Sequence, residues 1–210
     1  MFGDGYTYDS VVPVPLLTSE KTDAVKDQDV DITISAVSMS CKRWEDVDFS
    51  AEYYTAQQKF LVRTDSGIHD QADLAHSTVC VTTNSSSEAI MEDHVPEAKL
   101  DVEDGRTDCL RALQQGEVDA YFGHDTFQYG MLKQDSTLEM RELLDRSLTT
   151  SHYGIAVNRQ YPELTRLINY YLADIVADGT WTELVCKSLT WNCLDGQIPV
   201  APTPDYRREP

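Results

Sequence analysis

The chain has 210 residues, 36 of them acidic and 17 basic, for a formal net charge of −19 with His neutral, and 41% are hydrophobic. That apolar fraction, with eleven Tyr and three Trp, is enough to bury a core and excludes an unstructured tail. The surplus of carboxylates excludes a nucleic-acid binder, because a phosphate backbone demands clustered Lys and Arg, and it excludes adsorption to an anionic membrane.

In chain order, the first residues, MFGDGYTYDS, lack the basic start and apolar stretch of a secretion signal, and no early Cys could take a lipid, so an exported protein would carry its signal or anchor elsewhere. No apolar run reaches the ~20 residues of a membrane helix; residues 11–17 are broken by Pro13 and Pro15. Residues 16–28, LLTSEKTDAVKDQ, mix charged and apolar positions behind an N-cap candidate, Thr18 or Ser19, and predict a helix. Residues 31–39, DITISAVSM, alternate and are β-branched, which predicts a strand; 59–63 and 79–82 are further short apolar runs. The intervening RWEDVDFSAEYYTAQQ reads as a polar connection punctuated by aromatics.

Residues 85–93 predict a helix entered through a cluster of serines, and 108–115, DCLRALQQ, a second one ended by Gly116. VDAYFGHD then predicts a strand, TFQYGMLKQ a helix, HYGIAVN a strand, and residues 161–189 a long amphipathic segment interrupted near Asp178 and Gly179. The Pro-rich residues 197–210 read as an extended arm. Strands alternating with helices indicate an α/β protein with a largely parallel sheet.

Cysteines at 41, 80, 109, 186 and 193 match no zinc or haem spacing and read as two disulfides and one free thiol. Cys186 and Cys193 are the closest in sequence, and a bridge there closes a short loop worth about 2.5 kcal/mol. Cys80, on an apolar strand, and Cys109, on a following helix, are the other candidate pair. The alternative at either place is two buried thiols packing as small hydrophobes. Disulfides would imply an oxidising, extracytoplasmic location.

The informative stretch is residues 29–54, DVDITISAVSMSCKRWEDVDFSAEYY. Its strand ends in the small hydroxyl residues Ser38 and Ser40, with Arg43 just beyond. Free backbone amides, two hydroxyls and a forked guanidinium can receive a carboxylate. A surface turn with an exposed Arg produces the same short pattern, so the wider sequence has to decide.

That wider sequence resembles the bacterial extracellular solute-binding proteins of family 3, which carry polar amino acids to ABC importers. Members have an Asp-rich strand, a Thr-x-Thr-x-x-Arg-like segment, Val-Asp-Phe-Ser and a Tyr-Tyr pair; VDITISAVSMSCKRWEDVDFSAEYY is similar in that order. DLAHSTVCVTTNSSSEAI, RALQQGEVDAYFGHD and YGIAVNRQYPELTRLINYYLADIVADGTWTEL continue the resemblance over most of residues 20–195.

The resemblance implies the type II periplasmic-binding fold: two α/β lobes with mixed and parallel sheets, one from residues 1–62 with 155–210 and one from 63–154, joined by the hinge strands KFLVRTD and HYGIAV. Arg43 would grip the ligand's α-carboxylate, with Ser38 and Ser40 where members have threonines. Asp125 would receive its α-ammonium, or serve as a helix N-cap. Ser85 and Ser86, in the loop TTNSSS, would seat an anionic group or simply cap the next helix. His124 reads as a rim residue, Tyr53 and Tyr54 as packing, and Trp44 as surface. Thr82 stands where members often have a longer side chain, leaving the ligand's side chain open.

The implied ligand is a polar amino acid, glutamate- or glutamine-like, and the implied partner an ABC permease in the membrane; the protein would be an extracytoplasmic monomer without cofactor or metal. Members begin with a strand and an aromatic lid that MFGDGYTYDSVVPVP does not match, so the first lobe is expected to be N-terminally incomplete and binding weakened. The fold also hosts dehydratases, which would recruit His124 or Asp125. With no nucleophile motif, Gly-rich phosphate loop or metal spacing, an enzyme is not expected. A ligand-sensing domain of a receptor is the remaining alternative.

Overall fold

The computed structural model describes residues 20–189 together with Cys193 and Ala201. The N-cap candidates Thr18 and Ser19, the expected incompleteness of the first lobe and nearly all of the Pro-rich arm lie outside these residues. The described chain opens with a single helical turn, α1 (Asp23–Lys26), in place of the longer helix expected. The turn stops because Gln28 adopts a left-handed φ of 66°, and the amides of Gln28 and Asp29 fold back onto the carbonyls of Val25 and Ala24.

Strand β1 (Ile32–Ser38) follows, then α2 (Cys41–Trp44), β2 (Asp48–Phe49) and β3 (Tyr54–Arg63). The segment read as a polar connection therefore holds a helical turn, a short strand and the start of the longest strand described. Its polarity misleads because Asp48, though buried, is satisfied by the Phe49 amide and the Thr165 hydroxyl, while Val47 and Phe49 fill the core beneath.

A 3-10 turn (Gln71–His76), β4 (Thr78–Thr82), α3 (Ser86–His94), β5 (Lys99–Glu103), α4 (Arg106–Gln115), β6 (Ala120–His124) and α5 (Asp125–Leu132) come next. Then come β7 (Leu138–Arg141), α6 (Arg146–Thr149), β8 (Thr150–Val157), α7 (Pro162–Ala177) and α8 (Thr180–Ser188). Gly116, at φ 75°, ends α4, and Gly179, at φ 86°, separates α7 from α8, as the sequence led one to expect.

The strands are hydrogen-bonded in the order β1-β8-β3-β6-β4-β5, with β2 on β8 and β7 on β3. The expectation of a largely parallel sheet is corrected to a mixed one: β4 pairs parallel with β5 and β6, whereas the ladders of β8 with β1, β2 and β3, and of β3 with β6 and β7, are antiparallel. Apolar periodicity reports which face of a strand is buried but not which way its neighbour runs.

β3 belongs to both halves of this arrangement. Tyr54 to Gln57 pair with β8, and from Gln58 onward the partner is β6. Beyond Gln58 both faces of the sheet are covered, so the strands read as continuous apolar runs. Phe60, Val62, Val79, Val81, Ala120 and Phe122 point into one cluster with Met91 of α3. The alternate residues Leu61, Cys80 and Tyr121 point into another with Cys109 and Leu113 of α4. A smaller cluster of Val25, Val37, Val47, Phe49 and Ala156 sits under β1 and β8.

Both expected disulfides are present, Cys80–Cys109 and Cys186–Cys193, and Cys41 is free and exposed. The first ties α4 to the centre of β4 inside a buried cluster, at a sequence separation of 29. Replacing Cys80 and Cys109 together by Ala should lower the unfolding free energy by about 3–4 kcal/mol, read by urea denaturation against the parent. A loss below about 1 kcal/mol would show that the bridge constrains little.

Candidate functional site

The carboxyl ends of β1, β4 and β6 and the starts of α2, α3 and α4 surround a cavity of about 770 Å³. Ser38, Ser40, Arg43, Ser85 and Ser86, five of the residues named from sequence, line it, and so does His124. Asp125 is not among the lining residues.

Local structure aims Arg43 inward. Ser40 caps α2 by accepting from the Arg43 amide at 3.3 Å, which fixes the turn that carries the guanidinium. Nη1 donates to the Ser38 carbonyl at 2.8 Å and Nη2 to the Asn84 carbonyl at 3.1 Å. One side chain thus spans from the end of β1 to the loop after β4, and a guanidinium's five donors leave others for a ligand. Burial holds the Arg43 pKa below its usual value.

On the opposite wall, Ser85 caps α3 through its hydroxyl, which accepts from the Glu88 amide at 3.1 Å, while the Glu88 carboxylate accepts from the Asn84 amide at 2.6 Å. With Ser85 occupied as the cap, Ser86 is the first hydroxyl within the helix to line the cavity. Ser86 Oγ lies 3.3 Å from Ser38 Oγ and 3.4 Å from His124 Nε2, and accepts from Gln58 Nε2 at 3.2 Å. Gln58, buried in β3, also donates to Ser151 of β8 at 2.8 Å and accepts from Ser87 at 2.5 Å. A buried amide fully satisfied in this way locks the strand crossover to the serine wall.

Two cations that the sequence did not single out complete the wall. Lys21, only 8% exposed, donates to the Ser35 carbonyl at 2.7 Å, and Arg106, the first residue of α4, lies 3.7 Å above the Phe127 ring. Burial, then the charges of Arg106 and Arg43, bring the Lys21 ammonium down to about 8. His124 responds more strongly than Lys21: burial and the charges of Arg106, Lys21 and Arg43 push its imidazole down to about 3. Ala36, with a left-handed φ of 50°, forms an irregularity in β1 beside them and also lines the cavity.

Asp125 opens α5 and accepts from the Gln57 amide at 3.3 Å; burial raises its carboxyl above the usual value, against that bond. Tyr53 and Tyr54 pack their rings on Tyr153, Thr82 lines the cavity, and the exposed Trp44 stands edge-on to Phe49. Lys21 gave no signal because a lysine within SEKTD reads as solvated. Arg106 escaped because Gly105, its N-cap, carries no capping side chain, so the helix was expected to start at 108.

The sequence model for bacterial extracellular solute-binding proteins, family 3, matches residues 9–190. The glutamate-binding protein GluB of Corynebacterium glutamicum is 28% identical over 177 residues, 82% of this chain and 60% of that one. The ABC transporter glutamine-binding protein GlnH of Bacillus subtilis is 28% identical over 160 residues, 76% and 58% of the two chains. The chain therefore spans about 60% of the length of these curated relatives. Among solved structures, the solute receptor for L-cysteine of Neisseria gonorrhoeae superposes with a TM-score of 0.81 at 21% identity, covering 89% of this chain and 75% of that one. The fold is that of type II periplasmic binding proteins.

The depressed His124 gives the site a stability signature. Between its folded value near 3 and the ordinary 6.5, the unfolded chain binds a proton that the folded chain refuses, so stability is lost as pH falls through that window. From pH 7 to pH 5 the parent should lose about 1–2 kcal/mol more unfolding free energy than His124→Gln, measured by urea denaturation at each pH. Equal losses would mean that the imidazole titrates as it does in the unfolded chain.

Proposed function

Because the chain belongs to the bacterial extracellular solute-binding proteins, family 3, we propose that its cavity takes a polar amino acid, glutamate- or glutamine-like, outside the cytoplasm for delivery to an ABC importer. The carrying observation is Arg43, which bridges two walls of the cavity through backbone carbonyls and keeps donors for a ligand carboxylate. The ligands for which the relatives are named, glutamate and glutamine, support the same class.

In this reading Ser38 and Ser86 bond the ligand directly, while Ser40 and Ser85 hold α2 and α3 in place by capping them. Asp125 acts from behind, fixing β3 through the Gln57 amide. The two lobes close over the ligand by bending where β3 changes partner and β8 begins, near the bonds of Gln57 and Gln58 to Thr150 and Ser151. The closed monomer is what the permease subunits recognise. Two disulfides among the described residues fit an oxidising, extracytoplasmic compartment.

Binding rather than catalysis is favoured by the state of His124. Ser38 and Ser86 hydroxyls stand 3.5 and 3.4 Å from its Nε2, but an imidazole near 3 is a weak base at neutral pH. Among the described residues no carboxylate is hydrogen-bonded to its other nitrogen to orient it. The relatives named above are themselves binding proteins.

In a thermal-unfolding screen against the twenty amino acids, a ligand at 100 times its Kd should add about 2.7 kcal/mol of stability. Arg43→Ala should lose that shift while still melting cooperatively. A cooperative melt that no amino acid displaces would contradict the proposal.

A further inference from the structure

The cavity's charge is unevenly placed. Lys21, Arg43 and Arg106 are buried or partly buried on its inner wall, close enough for all three to act on His124. Among the described residues no ion pair joins any of them to a carboxylate. The acids that line the same cavity are otherwise engaged or lie at the rim. Asp46 pairs with Lys26 at 2.6 Å, Glu88 holds the Asn84 amide, and Asp23 and Glu92 are exposed to solvent. Asp125, which could have received an ammonium, is turned to β3.

Three converging cations in a chain of net charge −19 repel one another, and burial desolvates Lys21 and Arg43; backbone carbonyls and the Phe127 ring meet part of that cost, and anionic groups arriving between them meet the rest. One carboxylate satisfies Arg43. It leaves Lys21 and Arg106 facing the cavity, beside the amino-terminal amides of α4, which add positive potential of their own. A neutral side-chain amide compensates them poorly, and a guanidinium meets like charge.

We propose that the ligand is a small dianion with two carboxylates, the first received by Arg43 with Ser38 and Ser86 and the second by Arg106 and Lys21, and that an ammonium group is not required for its recognition. The assignment rests on the reading of the chain as a binding protein and narrows it to acidic ligands. Glutamate fits because of its two carboxylates, not because of its amine.

Calorimetric titration of the intact chain with L-glutamate, glutarate, L-glutamine and L-arginine tests this. Glutamate and glutarate should bind within about tenfold of each other, glutamine on the order of 100-fold more weakly, and arginine not at all. Arg106→Gln should weaken both dicarboxylates by on the order of tenfold or more and erase the preference over glutamine, whereas Arg106→Lys should keep most of both. Glutamine or arginine binding as tightly as glutamate would overturn the inference and leave the amino-acid reading intact; so would glutamate binding with glutarate silent, or an unchanged affinity in Arg106→Gln. Glutarate binding with no response to any amino acid would support the inference and overturn the amino-acid reading. No response to any of the twenty amino acids or to glutarate would overturn both.

Discussion

A β-strand has two edges and two faces, and β3 is asked to use them differently along its length. Its first residues pair with β8, and its later ones are gripped between β6 and β7, since Leu61 faces both Tyr121 and Met140. The change of partner at Gln57 and Gln58 would leave polar groups stranded in the interior were they not supplied locally. Gln58 answers with bonds to Ser86, Ser87 and Ser151, Gln57 with bonds to Thr149 and Thr150, and Asp125 with an acceptor for the Gln57 amide. The serine wall of the cavity is therefore an extension of the crossover: the groups that satisfy β3 are those that position α3 against the end of β1.

The second constraint is electrostatic, and its sign opposes the chain as a whole. Carboxylates dominate the surface, where water screens them. The cavity reverses this with Lys21, Arg43 and Arg106, and burial together with their field keeps His124 neutral. A neutral imidazole can still exchange hydrogen bonds with Ser38 and Ser86 without adding a further charge. The arrangement is consistent with a pocket whose missing counter-charge comes from the ligand.

Parts of this were legible in the chain itself. Arg43 with Ser38 and Ser40 stood in one contiguous stretch, so its local geometry could be read directly. Gly116 and Gly179 announced helix ends because a left-handed residue is needed there, and both disulfide pairs followed from a strand facing a helix and a short terminal loop. What escaped depends on burial and register. Lys21 looks like any solvated lysine until the sheet covers it. β5 and β7 are short strands with charged residues at alternate positions, Lys99, Asp101 and Glu103 in one and Glu139 and Arg141 in the other, so nothing marked them as apolar runs. The assignment of the second wall turned on a single residue: His124 ends β6 and lines the cavity, whereas Asp125 is the first residue of α5 and turns to β3.

The most direct measurement is a crystal structure of the chain grown with L-glutamate. The account predicts the ligand inside the cavity, one carboxylate within about 3 Å of the Arg43 guanidinium and the Ser86 hydroxyl, and the other between Lys21 and Arg106. Glutamate bound outside this cavity, or inside it with Arg106 and Lys21 facing no carboxylate, would contradict it.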